Sequence, residues 1–160
     1  MDKYAEKAKK IIAGNIYMVI ATSSQESKPW ISPVFFVYDS DYNLYLVSNK
    51  DALHSNLVRN NSQVAIVIFN SEANEGSGTG VYFEAKAQEL GDEKELNKAI
   101  GLWNKRVNGE DFKIKDIGKV SGEGIWRVYK ATPTKISQLT EGTFIKGQYV
   151  DTRIEVSLKN

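Results

Sequence analysis

Leu44 to Phe69 reads LYLVSNKDALHSNLVRNNSQVAIVIF, and the way this run divides into apolar and polar blocks decides how the chain is assembled. An apolar strand over Leu44–Val47 enters a small polar turn, Ser48-Asn49-Lys50-Asp51. Asp51 suits the N-cap of a short helix over Ala52–Arg59, where Leu53 and Leu57 form an i,i+4 apolar pair with Val58 alongside. Asn60-Asn61-Ser62 stops that helix. Val64, Ile66 and Ile68 then alternate with Ala65, Val67 and Phe69, which predicts a central strand buried on both faces. Strand, polar turn and helix start together bring hydroxyl, amide and cationic groups to a sheet edge, and the unpaired N–H groups of a helix start suit an anion. The same residues also suit a capped connection that binds nothing.

Toward the N-terminus, Trp30–Tyr38 reads as one strand with two largely apolar faces, as in a closed barrel or at an interface. Pro33 cannot donate to a ladder, so it marks an edge, a bulge or a ligand-facing position. Ile16–Thr22 is a further strand, and Asp2–Ala13 an amphipathic helix ended by Gly14-Asn15. Toward the C-terminus, Asn70–Thr79 is a glycine- and serine-bearing loop without the lysine-serine ending of a phosphate-binding P-loop. Val81–Leu90 alternates cleanly, with Val81, Phe83, Ala85 and Ala87 on one face. Asp92–Lys105 is a helix with an acidic first turn and Leu96, Ile100 and Trp103 in phase. Asp111–Ile117 suggests one more short turn. Ile125–Ala131 is a strand that Pro133 interrupts before Lys135–Leu139, and Tyr149–Leu158 again has strand character. Six or seven mostly antiparallel strands and three helices predict a mainly β, α+β domain: a small barrel with peripheral helices. One domain is expected over residues 1–160, with an N-terminal helix over 1–14 and a C-terminal extension over 140–160.

Composition removes whole classes of chemistry. The chain has no cysteine and one histidine, so thiolate sites, cysteine nucleophiles and multi-histidine metal sites within one chain are excluded. A formal charge of +1 with mixed signs argues against nucleic acid as a partner. No apolar run approaches a membrane span and no signal-peptide core follows the lysine-rich start, so a cytoplasmic location without membrane contact is expected. No acid–base pair stands out: Asp39 and Asp41 are turn residues, and Glu72, Glu75 and Glu84 lack partners. Ser48 and Ser55 have no base in view. His54 is either a structural histidine or a phosphate contact, with Ser48, Asn49 and Lys50 just before it. Arg59 either assists it or complements the helix C-terminus. Trp30, Trp103 and Trp126 are core candidates, although Trp30 also suits stacking on a planar ligand. Without catalytic side chains, any reaction would belong to a bound cofactor.

The ordered series KPWISPVFFVYD (28–39), the opening stretch, GTGVYFEAKAQEL (78–90), the helix through Trp103 and IWRVYKATPTKI (125–136) resembles the FMN-binding split-barrel family of pyridoxamine 5'-phosphate oxidase-like proteins. The resemblance spans Ile16–Leu139, and the tail VDTRIEV (150–156) is similar to the closing strand of some members. It implies a homodimer with FMN in clefts between subunits and a small-molecule substrate. The flavin ring would lie along Ser32, Pro33, Val34 and Phe35, and the phosphate at Ser48, Asn49, Lys50, His54 and Asn56. Trp126 and Arg127 of the partner would close the ring pocket. The oxidases themselves carry an arginine and then a lysine on the second strand; here stand Ser32 and Phe36-Val37-Tyr38, and Leu53 or His54 replaces a basic residue. The resemblance therefore implies an FMN-dependent, flavin reductase-like oxidoreductase rather than a vitamin B6 oxidase. Haem or deazaflavin binding, or a non-catalytic flavin-binding role, are the alternatives that the same family offers.

Overall fold

The structure, a computed structural model, describes residues 2–159. Helix α1 (Lys3–Gly14) begins where the Tyr4 amide donates to the Asp2 carboxylate at 3.0 Å, and it buries Ala5, Ala8 and Ile12. At its end Asn15 is extended rather than left-handed, and its side-chain amide donates to the Ile11 carbonyl at 2.7 Å. The strands are β1 (Tyr17–Ser23), β2 (Pro29–Phe35), β3 (Val37–Tyr38), β4 (Leu44–Asn49), β5 (Gln63–Phe69), β6 (Gly80–Glu89), β7 (Trp126–Leu139), β8 (Thr143–Ile145), β9 (Gln148–Val150) and β10 (Arg153–Glu155). Helix α2 (Leu53–Asn60) joins β4 to β5, and α3 (Glu93–Arg106), capped by Asp92, follows β6. Two 3-10 turns, Glu110–Phe112 and Ile117–Val120, stand where a single turn was expected.

The main sheet runs β2-β1-β5-β6-β7-β4-β3, antiparallel throughout, with β10 added to β7 and β8–β9 forming a separate hairpin. Both ends of this path come from one run of chain. Residues 29–38 do not form a single strand; they break at buried Phe36, whose amide donates to the Ile16 carbonyl at 3.1 Å. β2 then pairs with β1 while β3 pairs with β4, so the crossing curls the sheet into a barrel. β2 and β4 have no ladder between them, and that gap is the split.

Pro133 does not interrupt β7. Lys135 faces Glu84 and Pro133 faces Ala85, so Thr134 is the extra residue of a bulge, its hydroxyl donating to the Glu84 carbonyl at 3.0 Å. The alternation in β6 holds: Val81, Phe83, Ala85 and Ala87 enter the core with Met18, Ile20, Leu44, Leu46, Ile66 and Ile68, and α1 supplies Ala5, Ala8 and Ile12 to the same cluster. A second cluster joins α3, through Leu96 and Ala99, to Val37, Tyr45 and Val128.

β5 lies centrally, between β1 and β6, but it is buried on one face only. Val64, Ile66 and Ile68 point inward, whereas Ala65 and Phe69 are exposed and Val67 is half-buried. Asp39, after β3, ties the second cluster to α3. Its carboxylate accepts from Lys98 Nζ at 2.6 Å, Tyr45 Oη at 2.9 Å and the Asn43 side chain at 2.9 Å. Burial raises the Asp39 pKa, but these hydrogen bonds outweigh it and hold the carboxyl at about 2; burial and the bond to Asp39 push Tyr45 to about 12.

Candidate functional site

The opening stretch folds differently from its reading at two points. Ser48 and Asn49 complete strand β4, opposite Arg127 and Trp126 of β7, so the turn is shorter than expected. Asp51 does not cap α2; Ala52 holds that position with no side-chain hydrogen bond. The Asn49 side-chain oxygen instead accepts from the Asp51 amide at 2.8 Å, and the Asn49 backbone carbonyl accepts from the Ser55 hydroxyl at 2.8 Å. The first turn of α2 therefore keeps amide N–H groups without a side-chain cap, and the strand end delivers Ser48 beside them.

His54 sits across the split. Its Nδ1 lies 3.1 Å from Ser32 Oγ on β2, and its Nε2 lies 2.7 Å from Ser48 Oγ on β4. Trp30 Nε1 donates to Ser32 Oγ at 3.1 Å, so a side-chain chain of four residues spans the two unladdered strands. Burial lowers the His54 pKa from its ordinary value, which favours the neutral ring.

Beneath the turn lies a clamp built on Glu89, at the end of β6. Its Oε2 accepts from Arg59 Nη1 at 2.9 Å and from Tyr129 Oη at 3.1 Å, while its Oε1 accepts from Arg127 Nε at 3.1 Å. Arg59 Nη2 donates to the Lys50 carbonyl at 2.6 Å and to Asn56 Oδ1. Asn56 Nδ2 in turn donates to the Asp51 carbonyl at 3.2 Å, and the Lys50 amide donates to the Ile125 carbonyl at 2.9 Å. Arg127 also donates to the carbonyls of Gly122, Gly124 and Trp126, each at 2.6 Å. Arg59, Asn56 and Arg127 are thus bound within the chain. Among the described residues, no ion pair engages the Lys50 ammonium.

The eleven residues expected to bind a cofactor separate into two groups. Ser32, Ser48, Asn49, Lys50, His54, Asn56, Trp126 and Arg127 lie around the end of β4. Pro33 faces the outer side of β2, Val34 is buried in the core opposite Met18, and Phe35 packs edge-on against Tyr17 and Trp103. Trp30 and Trp126 are exposed rather than core residues, and Trp103 is half-buried. Glu89 is absent from the sequence reading, yet it carried a signal: it continues the buried phase Val81, Phe83, Ala85, Ala87, where a carboxylate requires a partner.

On the outer side of β1, β2, β5 and β6, a groove of about 710 Å³ is lined by Val19, Ala21, Ile31, Ala65, Val67 and Tyr82, with Glu84, Lys135, Arg153 and Glu155 among its polar residues. Among the described residues no group of three His, Asp or Glu could hold a metal ion, and no helix is long and apolar enough to cross a membrane.

An antiparallel split barrel with an uncapped helix start beside its gap defines the class of protein. The chain belongs to the pyridoxamine 5'-phosphate oxidase family, which it matches over residues 4–139. No curated protein sequence matches it. Among solved structures it is similar to a haem-binding protein from Mycobacterium smegmatis (TM-score 0.71, 19% identity, 95% of this chain and 58% of that one). It is also similar to HutZ, the haem storage protein of Vibrio cholerae (TM-score 0.69, 18% identity, 84% and 94%). General Stress Protein 26 of Bacillus anthracis is a third (TM-score 0.59, 18% identity, 92% and 98%). The chain spans just over half the length of the mycobacterial protein. At these identities the likeness shows a shared fold.

Proposed function

We propose that this chain binds FMN and works as an FMN-dependent, flavin reductase-like oxidoreductase on a small molecule. The observation that carries this reading is the set of donors at the end of β4: the Lys50 ammonium, which no ion pair engages among the described residues, and the uncapped first-turn amides of α2, with the Ser48 hydroxyl, hydrogen-bonded to His54 Nε2 at 2.7 Å, beside them. Hydroxyl, cation and helix start are what a phosphomonoester requires. Beside them β2 pairs only with β1, so its other edge offers backbone groups to a planar ring. Bound FMN would supply the electron transfer; the chain's own residues bind its phosphate, orient its ring and limit access of water.

The second part of the proposal is a homodimer. Outer sheet faces are ordinarily polar, whereas this one presents Val19, Ala21, Ile31, Ala65 and Val67. Its polar residues carry both signs, Lys135 and Arg153 with Glu84 and Glu155, which suits a second copy of the same surface.

A haem reading draws support from the names of two structural neighbours. Within this chain the one histidine already uses both ring nitrogens, so axial ligation by His54 would break a hydrogen bond. Visible absorbance and native mass of the purified protein test these readings together. A flavin spectrum and twice the 17.9 kDa of one chain are expected; a Soret band would replace FMN by haem. In an FMN titration, Lys50→Ala should weaken binding about 10- to 100-fold, the range for loss of a charge-assisted bond. Unchanged affinity would remove the site.

A further inference from the structure

On the homodimer reading, on which this inference rests, we propose that the hairpin β8–β9 is an arm that docks on a second copy of this chain, in an apolar groove at the start of that copy's β1. The hairpin stands out from the barrel on a clamped root. The Thr140 amide and hydroxyl both donate to the Thr152 carbonyl, at 2.9 and 3.0 Å. Lys146 and Gly147 both have positive φ, 49° and 80°, the type I′ geometry that closes a two-residue turn. Phe144 and Tyr149 pack edge-on at 5.5 Å on one face of the hairpin, and Tyr149 Oη donates to the Glu141 carbonyl at 2.6 Å. Ile145 and Val150 lie on the other face. Every residue of both strands is exposed, Phe144 at 72%. Two strands of three residues are marginal in water by themselves, so a hairpin that is apolar on both faces calls for a surface to cover it.

The topology places the receiving surface. β7, β6, β5 and β1 pair in that order, so Leu139, Gly80, Phe69 and Tyr17 stand level at one end of the sheet. The arm leaves from the β7–β10 side of this end. On the β1–β2 side lies a groove of about 450 Å³, lined by Ile16, Tyr17, Val19, Pro33 and Phe69, with exposed Glu72 among its polar residues. Val19 also lines the larger outer groove, so the two are continuous. A twofold axis running along the strands through the middle of the outer face lays the β7–β10 side of one copy over the β1–β2 side of the other, with the same ends level. Each arm then meets its partner's groove. The charges agree: Lys146 at the arm's tip and Glu72 in the groove have opposite signs, and among the described residues no ion pair engages either. An aromatic side chain buries about 150–250 Å². Covering Phe144 and Tyr149 thus supplies a substantial share of the roughly 800 Å² per subunit of a standard interface.

Analytical ultracentrifugation of the full chain over a concentration series reads the dimer dissociation constant, with the folding of each variant checked by circular dichroism. Phe144→Ala combined with Tyr149→Ala should raise that constant about 30-fold or more, the loss expected of a hot spot. Lys146→Glu and Glu72→Lys leave the hairpin's own contacts in place; each should raise it about 2- to 5-fold, the range for one exposed ion pair. The two reversals together should restore it, because they exchange the signs across the contact. A loss that persists in the doubly reversed chain separates Lys146 from the partner's Glu72 and overturns the docking. A dimer indifferent to all of these substitutions leaves the arm to another partner and overturns the proposal alone. A chain that stays monomeric at every concentration overturns the arm and the homodimer together, while the FMN titration still tests the cofactor by itself.

Discussion

Replacing Glu89 by glutamine removes one charge while keeping the side chain's shape, which isolates the clamp beneath the Ser48–Asn56 turn. The carboxylate accepts from two guanidinium groups and one phenol. A hydrogen bond to a charged group contributes about 1.5–3 kcal/mol when sheltered. The Arg59 and Glu89 side chains are 35% and 27% exposed, so solvent screening brings their pair to the low end of that range or below. Arg127 is only 13% exposed and retains more, although its three carbonyl partners keep it from being stranded. Glutamine preserves one acceptor oxygen but turns an amide NH₂ toward a guanidinium or the Tyr129 hydroxyl. The net expectation is a loss of about 2–3 kcal/mol at pH 7, a sizeable part of the ~5–15 kcal/mol that holds a domain folded. Urea unfolding at one fixed protein concentration reads this as a lower midpoint with an unchanged slope. Combined with Arg59→Met, the two losses should fall short of additive by at least ~0.5 kcal/mol. A loss under ~0.5 kcal/mol, or strict additivity, would refute the clamp.

Two further outcomes can be measured on the same protein. Asp39 binds its proton less readily folded than unfolded, so its contribution is complete above pH ~4 and is lost as the pH falls from 3.8 through about 2. That displacement is worth roughly 2.5 kcal/mol; Asp39→Asn should lose about this much at pH 7 and flatten stability between pH 4 and 2, and an unaltered slope there would contradict it. A Cβ on Gly124 would meet the Gly118 and Lys119 carbonyls, backbone atoms that cannot turn aside. Gly124→Ala should therefore cost about 1–3 kcal/mol, seen as a lower thermal midpoint; an unshifted midpoint would show that the 3-10 turn yields.

Much of the barrel was legible because it rests on local patterns. Period-2 alternation located β6, runs of β-branched residues located β1 and β5, and acidic-to-basic polarity located α3. The misreadings share a different physics. Phe36 continues the apolar pattern of its neighbours, so nothing local marks the break between β2 and β3; the break exists because the chain must serve two edges of one sheet. Pro133 looks like a terminator from within its own strand, and only pairing with β6 turns it into the flank of a bulge. β5 was expected to be buried twice because both its faces are apolar. In one chain only one of them is covered, and the composition of the other is the reason to propose a second copy.

The site was legible as a place and not as a set of roles. Residue type marked His54 and Arg59 as candidate anion ligands, since each can carry positive charge, and the family resemblance marked Arg127 as a wall of the ring pocket. What matters at a binding site is the donor left over after the chain has satisfied itself, and that quantity depends on pairs distant in sequence. Arg59 meets Glu89 and Ser32 meets His54 only when the barrel closes. Once those bonds are counted, the two arginines are committed and the histidine is spent on two serines. The donors that remain are humbler: a lysine and the backbone of an uncapped helix. A site made this way depends on its geometry more than on its charge. Substitutions at Arg127, which Glu89 and three backbone carbonyls already hold, should therefore register chiefly in stability, whereas Lys50 should register in recognition.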